Sequence, residues 1–277
     1  LRAFCQEDII TCDRLVMAIV QSHATKDIKG NCRHICELMT QARDVGAGLV
    51  HLFEAALSGY VKSQSPNRGS VASNEVKDRR INIRETARQL EIWTVAGCNH
   101  RMARPNRPRN SLFVIADKGK LITSYDKRYC SHSDITDWYS AGHHANIFSV
   151  DGFRIDCALC IEIQFPKVFR QHEQLDVDCV VFSAFSDDPM FWTQAQGDAG
   201  TNNLWGSVIM PAQFGTAVQS GLIGPHGYSL ARCEAKMTAQ LLRVELDKKS
   251  PDFHVALTKA RPWRCKARSR DIYKTNP

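Results

Sequence analysis

The sequence lacks any long apolar run, and its longest hydrophobic stretches are only the size of a β-strand. Leu15–Val20 and Cys179–Phe182 fall short of the roughly eighteen residues that a membrane-spanning helix needs, so no membrane partner is expected. An internal repeat and a low-complexity tract are also missing. A chain of 277 residues with 43% hydrophobic content has enough apolar material for the core of one domain.

The eleven cysteines lack the even number and regular spacing of a disulfide framework. An odd, scattered set is typical of reduced thiols in the cytoplasm, and the first residues lack the order of a signal peptide. The sequence therefore predicts a cytoplasmic protein. A metal site built from Cys130, His132, His143 and His144 is an alternative for that loop, but no ligand spacing recurs and none is expected.

A strong excess of charge of either sign is missing as well, because the formal net charge is only +7. Basic residues cluster in Arg101–Arg109 and Arg261–Arg270, which could indicate a nucleic-acid-binding patch or a solvated loop and tail. No aromatic interleaving or recognisable binding module accompanies these clusters. We therefore expect no nucleic-acid partner.

What the sequence does contain is a series of strand-like apolar segments and amphipathic helical segments. The predicted strands are 15–21, 49–53, 92–97, 111–116, 121–125, 146–150, 153–159, 178–183, 206–210, 221–224, 228–232 and 241–246, and the predicted helices are 31–47, 75–91, 166–174 and 189–202. Helices and strands alternate early, and hairpins follow, which predicts an α/β fold with mixed sheets in one domain. Residues 251–277 have no obvious place in this core and predict an irregular arm.

One cysteine lies where a predicted strand ends, within the segment Asp151–Arg170. Strand Phe153–Leu159 delivers Cys160 to its C-terminal end, and Pro166 suits the first turn of a following helix. Unpaired N–H groups and the positive end of a helix dipole favour a thiolate over a thiol. The alternative is that Cys160 is one of several buried, inert cysteines.

Two charged residues follow other predicted strands in the same way, and they decide between these alternatives. Glu54 follows strand 49–53, and Lys127 follows the hairpin strand 121–125. Ligand sites gather at the C-terminal ends of strands in layered α/β folds. A thiol there is a nucleophile, a carboxylate can take and return its proton, and an ammonium can stabilise an oxyanion.

Three segments resemble, in order, the signature blocks of the carbon–nitrogen hydrolase family, also called the nitrilase superfamily. They are Leu49–Tyr60, Tyr125–Lys127 and Cys157–Arg170, and Ala195–Asn203 is similar to the helix-and-Asn segment of that family. The resemblance implies a four-layer αββα sandwich of two mixed β-sheets flanked by helices.

We expect a hydrolase domain at residues 1–250. The arm 251–277 contains Trp263 and Tyr273 but has no obvious place in the core, so we expect it to pack on a neighbouring subunit. The resemblance implies a homodimer or higher homo-oligomer. It implies no cofactor.

For chemistry, the resemblance implies that Glu54, Lys127 and Cys160 hydrolyse an amide of a small molecule through a cysteine thioester and release ammonia or an amine. The backbone N–H of Ile161 would help to hold the oxyanion, and Glu162 would make structural hydrogen bonds. True nitrilases place Trp-Glu after the cysteine, so Ile161-Glu162 favours amides. N-carbamoyl or nitrile hydrolysis and a non-catalytic, ligand-binding or partner-binding role remain alternatives.

The sequence departs from the family pattern at two places. Phe53 stands where a proline usually precedes the glutamate, and no glutamate occupies the position of a second acid in the loop after Lys127. Asp137 is our candidate for that acid, although its side chain is one methylene shorter. Aromatic residues that could line the substrate pocket, or belong to the core instead, are Tyr60, Phe185 and Trp205.

Overall fold

Two six-stranded β-sheets form the centre of the computed structural model, which describes residues 12–64, 74–103 and 105–274. Sheet A contains β1 (Arg14–Gln21), β2 (Leu49–Leu52), β3 (Trp93–His100), β4 (Arg109–Ile115), β5 (Leu121–Asp126) and β12 (Gln240–Asp247), in the order β12-β1-β2-β3-β4-β5. Sheet B contains β6 (Phe148–Val150), β7 (Phe153–Leu159), β8 (Cys179–Ser183), β9 (Trp205–Ile209), β10 (Gly221–Ile223) and β11 (Ser229–Arg232), in the order β11-β10-β9-β8-β7-β6.

Each sheet has three parallel strands at its centre and antiparallel strands at its edges. The parallel strands are β1, β2 and β3 in sheet A and β7, β8 and β9 in sheet B. Every residue of β2, β8 and β9 is buried, because strands covered on both faces are apolar along their whole length. The C-terminal ends of the three parallel strands therefore lie together at one edge of each sheet.

Helices cover the outer face of each sheet. The helices are α1 (Ile28–Asp44), α2 (Val61–Gln64), α3 (Asn74–Leu90), α4 (Pro166–Gln174), α5 (Met190–Asn202), α6 (Arg261–Arg268) and α7 (Asp271–Lys274). Helices α1 and α3 pack on sheet A, and α4 and α5 form a separate apolar layer with sheet B. This is the αββα sandwich that the resemblance implied, so the predicted fold class is confirmed. No helix among the described residues has the length and apolarity to cross a bilayer.

Local sequence signals explain where these helices begin and which face they bury. In α1 the Asp27 side chain accepts a hydrogen bond from the Gly30 N–H and caps the first turn. Its predicted apolar face is buried, with Ile35 and Met39 at 2% and 0% exposure. Helix α4 starts at Pro166, whose missing N–H costs nothing in a first turn.

A buried polar chain crosses the otherwise apolar interface between the sheets. His51 of β2 lies between the hydroxyls of Ser207 and Ser183, at 2.8 Å from each, and Ser183 donates back to the Leu52 carbonyl oxygen over 3.1 Å. Since Ser183 uses its proton on Leu52, His51 donates to Ser183 through Nε2 and accepts from Ser207 through Nδ1. Burial lowers the pKa of His51 to about 3, so the ring stays neutral and ties β2 to β8 and β9.

The segment 251–274 differs from its prediction, because it is helical rather than irregular. A short 3-10 turn (Pro251–Phe253) and a π-helical turn (Val255–Ala260) lead into α6. Phe253 is buried edge-on against Trp205. The pattern was misread because the segment is mostly polar, and its few apolar residues contact the domain through single side chains.

Arginines of α6 fix the arm to its own chain. Arg261 pairs with Asp176 at 2.9 Å, Arg264 donates to the Gly200 carbonyl oxygen at 2.6 Å, and Arg268 pairs with Glu173 at 2.7 Å. The basic cluster Arg261–Arg270 therefore attaches the arm to the domain, in addition to forming the solvated tail that we predicted. The outer side of the arm exposes Trp263 and Tyr273 at 57% and 58%, and its packing on a neighbouring subunit stays a prediction.

Candidate active site

Glu54 lies in a tight turn directly after β2, at the carboxyl edge of sheet A. The turn crosses β3 at Gly97, where a Cβ atom would overlap the backbone of Phe53 and Ala55. The Leu57 N–H donates to the Gly97 carbonyl oxygen over 3.0 Å and fixes the turn against that strand. A glycine at position 97 is therefore required for the backbone of Glu54 to approach β3 this closely.

The two carboxylate oxygens of Glu54 have different surroundings. Oε1 accepts a hydrogen bond from the Asn110 side-chain amide at 2.6 Å and lies 3.4 Å from the Lys127 ammonium. Within the described residues, Oε2 is buried and accepts no hydrogen bond. The carboxylate is thus held by one oxygen, and the other oxygen retains its capacity to take a proton.

Lys127 follows β5 and its side chain is 1% exposed, between two carboxylates. Its ammonium lies 3.4 Å from Glu54 and 3.0 Å from Asp134. Burial alone lowers the pKa of Lys127, but the charge of Glu54 and then those of Cys160 and Asp134 outweigh it and raise the pKa well above its usual value. The lysine therefore stays charged despite its burial.

Asp134 reaches Lys127 because the loop after β5 contains a π-helical turn, Asp134–Trp138. Its other oxygen pairs with Lys62 of α2 at 2.6 Å. Burial acts to raise the pKa of Asp134, but the charge of Lys127 wins and lowers it to about 2. The carboxylate on Lys127 is thus Asp134, whereas our candidate for this position, Asp137, lies three residues further along the same turn.

Cys160 lies at the end of β7 with a left-handed backbone, at φ 52°. A 3-10 turn, Cys160–Gln164, starts there and separates it from α4. Non-glycine residues in this conformation are strained and concentrate at functional sites. The residue as a whole is half-buried.

The protonation of Cys160 differs from our expectation of a thiolate. Burial and then the negative charge of Glu54 raise its pKa to about 12, although Lys127 and a hydrogen bond from the Phe185 backbone oppose this. The first turn of α4 begins only at Pro166, so the expected helix dipole does not act directly on the sulfur. Cys160 is therefore a thiol when the site is empty.

Glu162 connects the loop of Lys127 to the turn of Cys160. Its fully buried carboxylate accepts from the backbone N–H of Arg128 at 2.7 Å and of Tyr129 at 3.1 Å, from the Leu159 N–H at 2.7 Å and from the Tyr125 hydroxyl at 2.7 Å. Both oxygens are used, so Glu162 holds two site loops in place, which is the structural hydrogen-bonding role expected of it.

The three aromatic residues that we assigned to the pocket lie in different places. Tyr60 and Phe185 stack face to face, with ring centroids 4.1 Å apart, and burial and then the negative charge of Glu54 raise the pKa of the Tyr60 hydroxyl. Trp205 begins β9, at the opposite end of sheet B from Cys160, and is fully buried against Phe153. Trp205 is a core residue, and the assignment to the pocket was wrong for it.

Sequence analysis missed two residues of the site, Asn110 and Asp134. The signal for Asn110 was a polar residue next to the apolar run of β4, which we did not use. Asp134 had no comparable signal, because its contact with Lys127 depends on the π-helical turn. In the part of the chain that the structure describes, no three His, Cys, Asp or Glu side chains group as metal ligands.

Comparison with known proteins decides the family. The family model of the carbon–nitrogen hydrolases matches residues 16–250. The chain belongs to the carbon–nitrogen hydrolase family. This confirms the resemblance drawn from the three sequence blocks.

Several curated relatives of this carbon–nitrogen hydrolase are amidases. Omega-amidase NIT2 of Bos taurus is 21% identical over 253 residues, which cover 84% of this chain and 89% of that protein. A chloroplastic omega-amidase of Arabidopsis thaliana is 24% identical, with 79% of this chain and 64% of that protein covered.

Solved structures share the fold of the hydrolase. An amidase from Nesterenkonia sp. superposes with a TM-score of 0.76 at 20% identity and covers 86% of this chain and 92% of that one. A variant of the Nesterenkonia sp. AN1 amidase has a TM-score of 0.77 at 20% identity, covers 92% of this chain and 97% of its own, and carries the acetamide moiety of fluoroacetamide on its active-site cysteine.

Proposed function

We propose that the protein hydrolyses a small-molecule amide through a thioester on Cys160, with Glu54 as the general base and Lys127 as the oxyanion donor. The observation that carries this proposal is the asymmetric carboxylate of Glu54. One oxygen is anchored by Asn110 at 2.6 Å, and the other has no partner among the described residues. A general base needs an oxygen that is fixed in place and still open to a proton.

The first half-reaction begins with a thiol rather than a thiolate. Because the pKa of Cys160 is raised to about 12 by burial and by Glu54, Glu54 takes the proton as the sulfur attacks the carbonyl carbon. The resulting oxyanion is stabilised by the Lys127 ammonium and by the N–H of Ile161, which lies in the first turn after Cys160, where N–H groups have no partner within the turn.

The second half-reaction returns the proton and consumes water. Glu54 donates its proton to the leaving nitrogen, which departs as ammonia or an amine and leaves an acyl thioester on Cys160. Glu54 then takes a proton from water, and the hydroxide attacks the thioester carbonyl carbon. The C–S bond breaks, the acid leaves, and Glu54 returns the proton to the Cys160 sulfur. Asp134 is our revised second acid in place of Asp137, and its ion pair at 3.0 Å holds the Lys127 ammonium in position.

The finer proposal is an ω-amide substrate, the amide at the far end of a small acid. Its support is the activity of three relatives, which are an omega-amidase in each of two organisms and a 2-oxoglutaramate amidase of Bacillus subtilis at 25% identity over 150 residues. The stacked pair Tyr60 and Phe185 is the wall we propose for the carbon chain of such a substrate.

The test measures ammonia released from a panel of aliphatic amides, ω-amides, N-carbamoyl amino acids and nitriles. Wild type is expected to release ammonia from amides, fastest from ω-amides, and Cys160→Ala is expected to lose the activity. Cys265→Ala, which removes an exposed thiol of α6, serves as the matched control and should remain active.

Mass spectrometry of the protein quenched during turnover adds a direct test. An acyl group on Cys160 identifies both the intermediate and the acid part of the substrate. Equal ammonia release by wild type and Cys160→Ala would contradict the proposed chemistry. Release from nitriles or N-carbamoyl compounds alone would contradict the proposed substrate class.

We also propose a cytoplasmic homo-oligomer. All ten described cysteines are free thiols, as in a reducing compartment, and Trp263 and Tyr273 give the outer side of the arm an apolar surface. Sedimentation of wild type and of Trp263→Glu should show a larger and a smaller species. A monomeric wild type would contradict the assembly.

A further inference from the structure

Two cysteines of α1 form a pair of thiols that the proposed reaction does not use. Cys32 and Cys36 lie one helical turn apart, on the side of α1 that faces α3. The Cys32 sulfur lies 3.5 Å from the Arg79 carbonyl oxygen, and the Thr86 hydroxyl oxygen lies 3.3 Å from the Cys36 sulfur. Contacts from α3 therefore hold both sulfurs at the same interface.

The two thiols titrate as a pair that gives up its first proton easily. A hydrogen bond from Cys32 lowers the pKa of Cys36 to about 6, with help from Thr86 and against burial and the charge of Glu37. The same hydrogen bond, and then burial, raise the pKa of Cys32, although the charge of Arg79 opposes them. Cys36 is half-buried and Cys32 is 3% exposed. Cys36 is therefore the more accessible thiol, and Cys32 is the buried thiol beside it.

The helical spacing decides what can join these sulfurs. Side chains at i and i+4 have Cβ atoms roughly 5–6 Å apart, whereas a disulfide needs about 3.5–4.5 Å. A direct disulfide would therefore unwind α1. A single soft atom whose bonds to sulfur are similar in length to a zinc–thiolate bond, about 2.3 Å, spans the gap with the helix intact, and thiolates select soft partners over hard ones.

We propose that Cys32 and Cys36 form a dithiol site for a trivalent arsenical, a soft centre that bridges both sulfurs across one turn of α1. With an organic arsenoxide, two S–H bonds break and two As–S bonds form, and the arsenic-bound oxygen leaves with both protons as water. Arsenic remains trivalent throughout, so the step needs no oxidant or reductant. The site is separate from Cys160, which lies at the carboxyl edge of sheet B.

The test uses phenylarsine oxide on the folded protein, followed by a wash with excess monothiol and intact-mass measurement. Adducts on single cysteines are removed by the monothiol, whereas a cyclic dithiol adduct survives. We expect one surviving adduct per chain in wild type, in Cys160→Ala and in Cys265→Ala. Cys32→Ser and Cys36→Ser are each expected to lose it.

Peptide mapping of labelled wild type keeps the test independent of how well the serine variants fold. The adduct is expected on the peptide that carries Cys32 and Cys36. An adduct that maps elsewhere, that survives in Cys36→Ser or that disappears in Cys160→Ala would overturn the proposal. So would a wild type in which no monothiol-resistant adduct forms.

Discussion

The two sheets contribute to the candidate site by different physical means. The loops of sheet A supply charge, because the buried Lys127 ammonium lies 3.4 Å from the Glu54 carboxylate and 3.0 Å from the Asp134 carboxylate. The loops of sheet B supply backbone geometry, through the left-handed conformation of Cys160 and the hydrogen bond from Phe185. One half is therefore an electrostatic environment and the other a positioned nucleophile.

This difference predicts how substitutions in each half behave. Removing one member of a buried charge cluster leaves its partner uncompensated, so it costs stability as well as rate. A change confined to the sulfur of Cys160 removes the chemistry and leaves the charges balanced. The comparison therefore separates variants that lose activity alone from variants that also lose stability.

The largest effect on rate and stability is expected when the Lys127 charge is removed from the sheet A half of the site. Lys127→Met removes the oxyanion donor, and the loss of one such donor costs about 10²–10³ in rate. It also leaves Glu54 and Asp134 facing each other without the intervening cation, so the urea midpoint should fall, unlike that of Cys160→Ala. Steady-state rates and urea unfolding measure the two effects, and an unchanged midpoint would contradict the division between the sheets.

A smaller effect is expected from the acid that holds the Lys127 ammonium, and it tests whether that acid is Asp134 or Asp137. Asp134→Asn is expected to cost roughly 10²-fold in kcat/KM, because it releases the Lys127 ammonium from its position. Asp137→Asn, three residues further along the same turn, is the matched control and is expected to change the rate little. Equal losses in the two variants would return Asp137 to the role that we now give to Asp134.

The smallest expected effect is on the free energy of unfolding at acidic pH. It comes from His51, which connects β2 of sheet A to β8 and β9 of sheet B. Since burial lowers the pKa of His51 to about 3, the unfolded chain binds a proton there below about pH 6.5 that the folded chain does not bind. Stability from this residue is complete above that pH and falls on acidification, by about 2 kcal/mol between pH 7 and pH 5.

His51→Gln tests this link because its amide can replace the hydrogen bonds and cannot titrate. Urea unfolding of both proteins from pH 5 to pH 7.5 isolates the contribution of His51 from those of other groups. The wild-type free energy of unfolding should decline more steeply in acid than that of the variant. Parallel curves would show that the ring is not buried and neutral.

The sequence predicted the parts of the site that depend on local pattern. Glu54, Lys127 and Cys160 each follow a strand that is readable in the sequence, and ligand sites gather at the C-terminal ends of strands in layered α/β folds. The helix face of α1 was readable for the same reason. These are features in which neighbouring residues decide the outcome.

The parts that could not be predicted depend on contacts between distant segments. Asp134 rather than Asp137 meets Lys127 because a π-helical turn and the distant Lys62 fix the loop. The thiol state of Cys160 depends on burial and on Glu54, more than one hundred residues away in sequence. Trp205 was misplaced because its strand runs toward the site, so that the first residue of the strand is the furthest from it.

The backbone of Cys160 has a consequence for engineering. A left-handed residue is one for which folding alone would choose glycine, since glycine adopts positive φ without strain. Selection of this enzyme for heat resistance alone would therefore reward a replacement that deletes the proposed nucleophile. Any thermostability screen on this scaffold has to demand turnover at every round, or it will enrich inactive protein.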